Sequence, residues 1–320
     1  MAKLFYLSLV FLFILQSCTY SHSGSAIPKI GFLDAFQDET ISEAKRGFLD
    51  ALSEQGFDEK NKTLELVYKN AQGSIPTLNQ EVSYLLNQDL RIIATNTTLS
   101  TISTAQRTHT LPIFMMVSPS PEKAGLLDKQ GKAPVNLFGV YETTAYIDTS
   151  IMLLKEILPS VKTLGAIYSQ GEPQSADAFK HLKDQSEALG IRLVALPVNN
   201  SSETQLVVQN LLSRHVDAFF ALPDNSVFAS FETLLKSCNA AKVPIFTSEE
   251  GLVKRGALAA FGADIYAWGH QSGMMAARYL KTGSTQGLQP EIVRLRKKVY
   301  NKEVASLFKI QIPGGIIPVK

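Results

Sequence analysis

The chain has 320 residues, 45% hydrophobic and 19% charged, with 31 Lys and Arg against 29 Asp and Glu. That hydrophobic share excludes a disordered chain, and the length allows two domains, each with its own buried core. A formal net charge of +2 excludes an electrostatic nucleic-acid binder, which needs a basic stripe. The densest basic cluster, Arg294, Arg296, Lys297 and Lys298, reads as a solvated edge.

Residues 4–15 form an apolar run behind Lys3. About 12 residues suits the core of a secretory signal, whereas a membrane span needs roughly 20. The run ends at Leu15-Gln16-Ser17-Cys18, which resembles the bacterial lipobox, where a Cys after a small residue is acylated. This predicts a signal peptide over 1–17, lipidation of Cys18 and a polar tether over 18–26. The alternative is a plain secretory signal with an incidental Cys. Acylation of Cys18 leaves only Cys238 and no intrachain disulfide. Cys238 follows Phe231, Leu234 and Leu235 at helical spacing, which reads as the buried face of a helix.

Ten short apolar segments then recur at steps of about 20–30 residues, the spacing of βα units. The first five are 27–33, 64–68, 91–95, 111–117 and 135–141; the second five are 163–168, 191–197, 216–222, 243–247 and 257–261. Helical stripes lie between them. Ile41, Ala44, Phe48 and Leu52 make one, ended by Gly56; Ala176, Phe179, Leu182 and Leu189 make another, ended by Gly190. Asn200 and Glu203 offer a cap and its reciprocal partner. Continuous apolar strands alternating with amphipathic helices predict parallel sheets covered on both faces. Two series of five predict two doubly wound α/β lobes.

A ligand on such sheets sits beyond the carboxyl ends of the strands. The loops there are rich in short polar side chains: Asp34-Ala35-Phe36, Asn96-Thr97-Thr98, Ser118-Pro119-Ser120, Ser169-Gln170-Gly171-Glu172, Asp224-Asn225-Ser226 and Ser248-Glu249-Glu250. Each alone reads as a helix cap; six in register, three per lobe, point to a cleft. No nucleophile elbow, phosphate-binding loop, dinucleotide fingerprint or zinc-protease motif is present, which argues against an enzyme. The five histidines have no spacing partners, and with two cysteines they predict neither a metal nor a cofactor.

The order of residues resembles the extracytoplasmic substrate-binding proteins of ABC transporters, in the subgroup associated with tryptophan, tyrosine and related amino acids. The likeness runs over residues 28–313. It is carried by Ala44-x-x-Gly47-Phe48-x-x-x-Leu52, Asn70-Ala71-Gln72-Gly73, Pro121-x-x-Ala124-Gly125-Leu126, Gly171-Glu172-x-x-Ser175, Asn200-Ser201-Ser202-Glu203, Asp224-Asn225 and Arg255-Gly256-Ala257-Leu258-Ala259. Leu99, Ser118 and Ser169-Gln170 depart from the family's usual residues at the cleft.

The resemblance implies a type I periplasmic-binding-protein-like fold with a ligand cleft between hinged lobes. Lobe one is expected over 27–142 plus 263–320 and lobe two over 143–262, with hinge crossings at Tyr141–Thr143 and Gly262–Asp264. A small residue stripe through Gly269 and Gly273 is expected to pack on the first lobe. For an amino acid, Thr97, Thr98, Gly171 and Ser175 suit the carboxylate. Asp224, with Glu249 behind it, suits the ammonium, and Phe36 and Tyr141 the ring. Asp34, Ser118, Glu142, Glu172 and Asn225 complete the expected site. The implied partners are a small solute, a permease and, through the lipid, a membrane outside the cytoplasm. Two alternatives stay open: a receptor for a sugar or nucleoside on the same fold, which would stack a ring on Trp or Phe, and a sensor component of a signalling system. Trp268 is expected to serve packing.

Overall fold

The computed structural model describes residues 27–319, so the expected signal peptide, Cys18 and tether lie outside the described residues. One sheet holds β1 (Lys29–Asp34), β2 (Glu65–Asn70), β3 (Ile92–Asn96), β4 (Ile113–Met116) and β5 (Leu137–Tyr141), parallel in the order 2-1-3-4-5, with β11 (Glu291–Ile292) beside β5. The other holds β6 (Thr163–Tyr168), β7 (Arg192–Pro197), β8 (Ala218–Ala221), β9 (Ile245–Thr247) and β10 (Ala259–Ala263), parallel in the order 7-6-8-9-10. β12 (Arg296–Tyr300) then pairs antiparallel with β10, and β13 (Ile317–Pro318) pairs with β12. All ten expected strands form. β1 and β3, central in their sheet, are buried along almost their whole length, whereas the outer strands β2 and β7 are only partly covered. That is why the central ones read as unbroken apolar runs.

Helices cover both faces of each sheet. In the first lobe α1 (Glu39–Glu54) and α10 (Ile265–Thr282) lie on one face, α2 (Ile75–Leu86) and α3 (Thr98–Ala105) on the other. In the second lobe they are α4 (Tyr146–Ile157), α5 (Pro173–Ala188), α6 (Thr204–Leu212), α7 (Asn225–Ala229), α8 (Phe231–Ala240), α9 (Glu250–Lys254) and α11 (Lys302–Phe308). The Ile41, Ala44, Phe48 and Leu52 stripe of α1 is buried, as its spacing predicts, and Asp38 caps the helix by accepting from Ile41 N at 3.0 Å. The glycines let α1 and α10 touch backbone to backbone. A Cβ at Gly47 would overlap the carbonyl oxygen of Tyr266, and one at Gly269 that of Ala44. Cys238 is buried on α8, and burial pushes its thiol up to about 12.

The expected extent of lobe one needs a correction. α10 packs on the first lobe, but residues 296–318 join the second sheet. β12 reads Arg-Lys-Lys-Val-Tyr with only Val299 buried, so no apolar run marks it as a strand. Its backbone nevertheless pairs with β10 from Ala259–Tyr300 to Ala263–Arg296, satisfying an edge that would otherwise stay open. The chain therefore passes between the sheets after β5, after β10 and again between β11 and β12.

Candidate functional site

The carboxyl ends of β1, β3 and β4 face those of β6, β8 and β9 across a cleft. Within it lies a small cavity of about 40 Å³. Ile41, Thr98, Val117, Ser118, Pro119 and Trp268 line it from the first lobe. Gln174, Pro223, Asn225, Phe228 and Glu249 line it from the second, and Glu142, Thr144 and Tyr146 from the connecting segment.

The polar atoms of this lining stand out by what they lack. Ser118 Oγ, Gln174 Oε1, Asn225 Nδ2 and Glu249 Oε2 are all buried without a hydrogen-bond partner. Each such atom costs about 1–3 kcal/mol. Four of them around one cavity make it the candidate place for a ligand. Glu249 is the sharpest case. Its Oε1 accepts from Ser248 Oγ at 3.0 Å while Oε2 has nothing. Burial, opposed first by the Ser248 hydroxyl, reinforced by the charge of Glu142 and opposed more weakly by the nearby Tyr146 hydroxyl, pushes its carboxyl up to about 8. Glu142, in contrast, is already matched: Arg296 Nε and Nη2 each donate to it at 2.7 Å, and Thr143 N donates at 2.7 Å. Burial still holds its carboxyl above the usual range, even though Arg296 pulls it down. Among the described residues no Lys, Arg or His lines this cavity.

Several expected ligand residues are occupied elsewhere. Asp224 is fully buried and caps α7: Oδ1 accepts from Ser226 N and Val227 N at 2.8 and 3.1 Å. Its Oδ2 accepts from Ser169 N at 2.7 Å and Ser175 Oγ at 2.6 Å. With four donors of its own lobe it has no oxygen left for an ammonium, and the same bond takes Ser175 out of the site. Asp34 accepts from Tyr68 Oη and Asn96 Nδ2, both at 2.7 Å, and ties the ends of β1, β2 and β3 together. Tyr141 packs against the first lobe's core, and Thr97 forms the left-handed turn (φ 76°) into α3; neither lines the cavity. Thr98, Ser118, Glu142, Asn225 and Glu249 do line it. Phe36, Gly171 and Glu172 line a second compartment of the cleft, which shares Asn225 with the first. There burial and the charge of Asp224 push Glu172 up to about 8, while Asn225 N donates to it at 3.0 Å and pulls the other way.

A model of the family described as "ABC transporter substrate binding protein" matches residues 29–318. The chain belongs to that family. Its members are solute-binding proteins rather than enzymes, and they work outside the cytoplasm. Among the described residues no helix is long and apolar enough to cross a membrane. This substrate-binding protein is 26% identical to the tyrosine-binding protein of Clostridioides difficile over 88% of its own chain and 81% of that one. It is similar to a domain from Streptococcus pneumoniae solved in complex with L-Trp, at 25% identity and a TM-score of 0.83, covering 91% and 99% of the two chains. A ligand-free, open substrate-binding protein from Clostridium difficile is also 25% identical, over 92% and 99%, but its TM-score is only 0.67. At equal identity the chain superposes better on the L-Trp complex than on the open protein. Contacts across the cleft agree: Arg255 meets Asp38 at 2.6 Å, and Lys123 meets Asp177 at 2.7 Å. The lobes of this substrate-binding protein are closed.

Sequence reasoning missed the aromatic walls. Trp268 on α10 packs in the first lobe's core, as expected, and donates from Nε1 to Val140 O at 2.8 Å, but it also lines the cavity. Phe228 continues the apolar spacing to Phe231, which reads as one core helix. The chain instead breaks between α7 and α8 at Ser230, and Phe228 borders the cavity. The basic cluster keeps the Arg294 and Lys298 side chains exposed, as expected, but it also carries ion pairs: Arg294, Arg296, Lys297 and Lys298 meet Glu291, Glu142, Asp264 and Glu156.

Proposed function

We propose that this substrate-binding protein captures a free aromatic α-amino acid in the closed interlobe cavity. Glu249 takes the ammonium, in place of Asp224. Ser118, Thr98 at the start of α3 and Asn225 receive the carboxylate, and Phe228, Trp268 and Tyr146 border the ring. The unpartnered Oε2 of Glu249 carries this reading. A buried carboxylate without a counter-charge is costly, and a ligand cation removes that cost. The tyrosine- and L-Trp-binding relatives support the same ligand class. The Trp268 ring supports one alternative, a sugar or nucleoside stacked on the indole, but a neutral ligand leaves Glu249 unmatched.

The proposal extends to delivery. The lobes hinge at the three crossings, open to admit solute and close upon it; the closed protein then hands its cargo to a membrane permease. Cys18, outside the described residues, anchors the protein through a lipid. Thermal-shift screening of the purified domain against amino acids, their deaminated acids, sugars and nucleosides tests the ligand class. Stabilisation by L-tyrosine or L-tryptophan is expected. A response to a nucleoside or sugar alone contradicts it. Detergent-phase partitioning that Cys18→Ser abolishes is the expected sign of the anchor.

A further inference from the structure

We propose that Arg255 is a clasp that holds the cleft closed and so sets how long a bound solute stays. Arg255 follows α9 and opens the Arg-Gly-Ala-Leu-Ala run; it is absent from the cavity lining. Its guanidinium uses donors in two directions. Across the cleft, Nη1 donates to Asp38 Oδ2 at 2.6 Å and Thr40 Oγ1 at 3.2 Å, both at the start of α1. Within its own lobe, Nε and Nη2 donate to Glu232 at 2.9 and 3.0 Å, and Nη2 donates to Phe228 O at 3.3 Å. One planar group with five fixed donors thus spans both lobes.

The clasp fastens one wall residue from each side. Asp38 Oδ1 accepts from the backbone of Ile41, and the Phe228 carbonyl accepts from Arg255; Ile41 and Phe228 both line the cavity. The lobes also meet without slack here, because a Cβ at Gly251 of α9 would overlap the Thr40 side chain. Burial makes the pair count. The side chains of Arg255 and Asp38 are 13% and 3% exposed, so solvent screens them little. The other cross-cleft pair, Lys123–Asp177, has its lysine 52% exposed and contributes little. Opening must part Arg255 from Asp38 while leaving its bonds to Glu232 intact. The interaction therefore stabilises only the closed state and acts on release more than on capture.

The inference uses the reading above only in that a solute closes the lobes. Asp38→Asn keeps the oxygen that caps Ile41 and removes the charge; Arg255→Gln removes the fork; Glu232→Gln removes only the partner within the lobe. Stopped-flow fluorescence of Trp268, the single tryptophan, with L-tyrosine as probe should show release roughly 10- to 100-fold faster in D38N and R255Q. E232Q should release near the wild-type rate. A merely structural role would lower melting temperatures and leave the release rate unchanged. Wild-type release from both D38N and R255Q overturns the clasp. Failure of the wild type to bind L-tyrosine would count against the ligand reading and not against the clasp. Donor–acceptor dyes on the two lobes of the ligand-free protein then decide. The closed population must fall in D38N and R255Q but not in E232Q, and identical distributions in all four proteins overturn the clasp.

Discussion

Arg296 grips Glu142 with two hydrogen bonds of 2.7 Å, from Nε and Nη2, and so fastens the third crossing between the lobes to the first. Arg296→Met leaves a buried carboxylate with only the Thr143 amide and hydroxyl. Removing one partner of a buried pair costs about 3–5 kcal/mol; Arg296 is 28% exposed, so the lower end applies. The loss should be largest at high pH and shrink as the pH falls, because the variant's Glu142 escapes the penalty by protonating. Urea unfolding at several pH values measures both the size and the trend.

Asp224 and Glu249 should separate cleanly. Asp224→Asn keeps the oxygen that caps α7 but replaces the one that accepts from Ser169 N and Ser175 Oγ. We expect a loss of about 1–3 kcal/mol in stability, with ligand affinity of the folded protein nearly unchanged. Denaturant unfolding and calorimetry on the same preparation report the two quantities. A stable variant that no longer binds an amino acid would return the ammonium to Asp224.

The strands, the covered sheets and the position of the cleft were legible because apolar runs and caps follow from local periodicity. The lining of the cavity was half legible. Thr98, Ser118, Asn225 and Glu249 were visible as polar residues at strand ends, but the same signal marked Asp34 and Asp224, which hold the loops together. A cap and a ligand contact use identical chemistry, and only the count of partners around each oxygen tells them apart. β12 escaped notice because it buries only Val299 and is held by backbone pairing to β10 and β13 rather than by an apolar run. Trp268 escaped because a helix face turned to a cavity has the same sequence pattern as one turned to the core.

The ligand-free protein should be more stable in mild acid than in base. The Glu249 and Glu172 carboxyls are both pushed to about 8 in the fold, against an ordinary value of 4.5. A group raised in this way contributes stability fully below its unfolded pKa and loses it as the pH rises through the folded one. The window is therefore about pH 4.5 to 8, with a slope of at most ~1.4 kcal/mol per pH unit and group. Melting temperatures of ligand-free wild type should fall across that window. Glu249→Gln and Glu172→Gln should each flatten the fall, and an unchanged slope in both would contradict the assignment.

Binding should release a proton for the same reason, since an ammonium requires the Glu249 carboxylate. Near neutral pH the measured binding enthalpy should vary with the ionisation enthalpy of the buffer, and affinity should rise with pH towards 8. Enthalpies that are identical in phosphate and Tris would argue that Glu249 does not change its charge on binding.

The lobes should also open in solution when empty. Small-angle scattering of the ligand-free protein should give a larger radius of gyration than the protein saturated with ligand. Identical profiles with proven saturation would count against closure as the capture step.

Calorimetric titration of L-tyrosine and L-tryptophan into wild type and Glu249→Gln tests the account most directly. Wild type should bind at least one of them. Glu249→Gln should stay folded and lose about 2–5 kcal/mol of binding free energy, the cost of removing one member of a buried charge pair. Equal affinity in the two proteins, or no binding of any amino acid by a folded wild type, would contradict it.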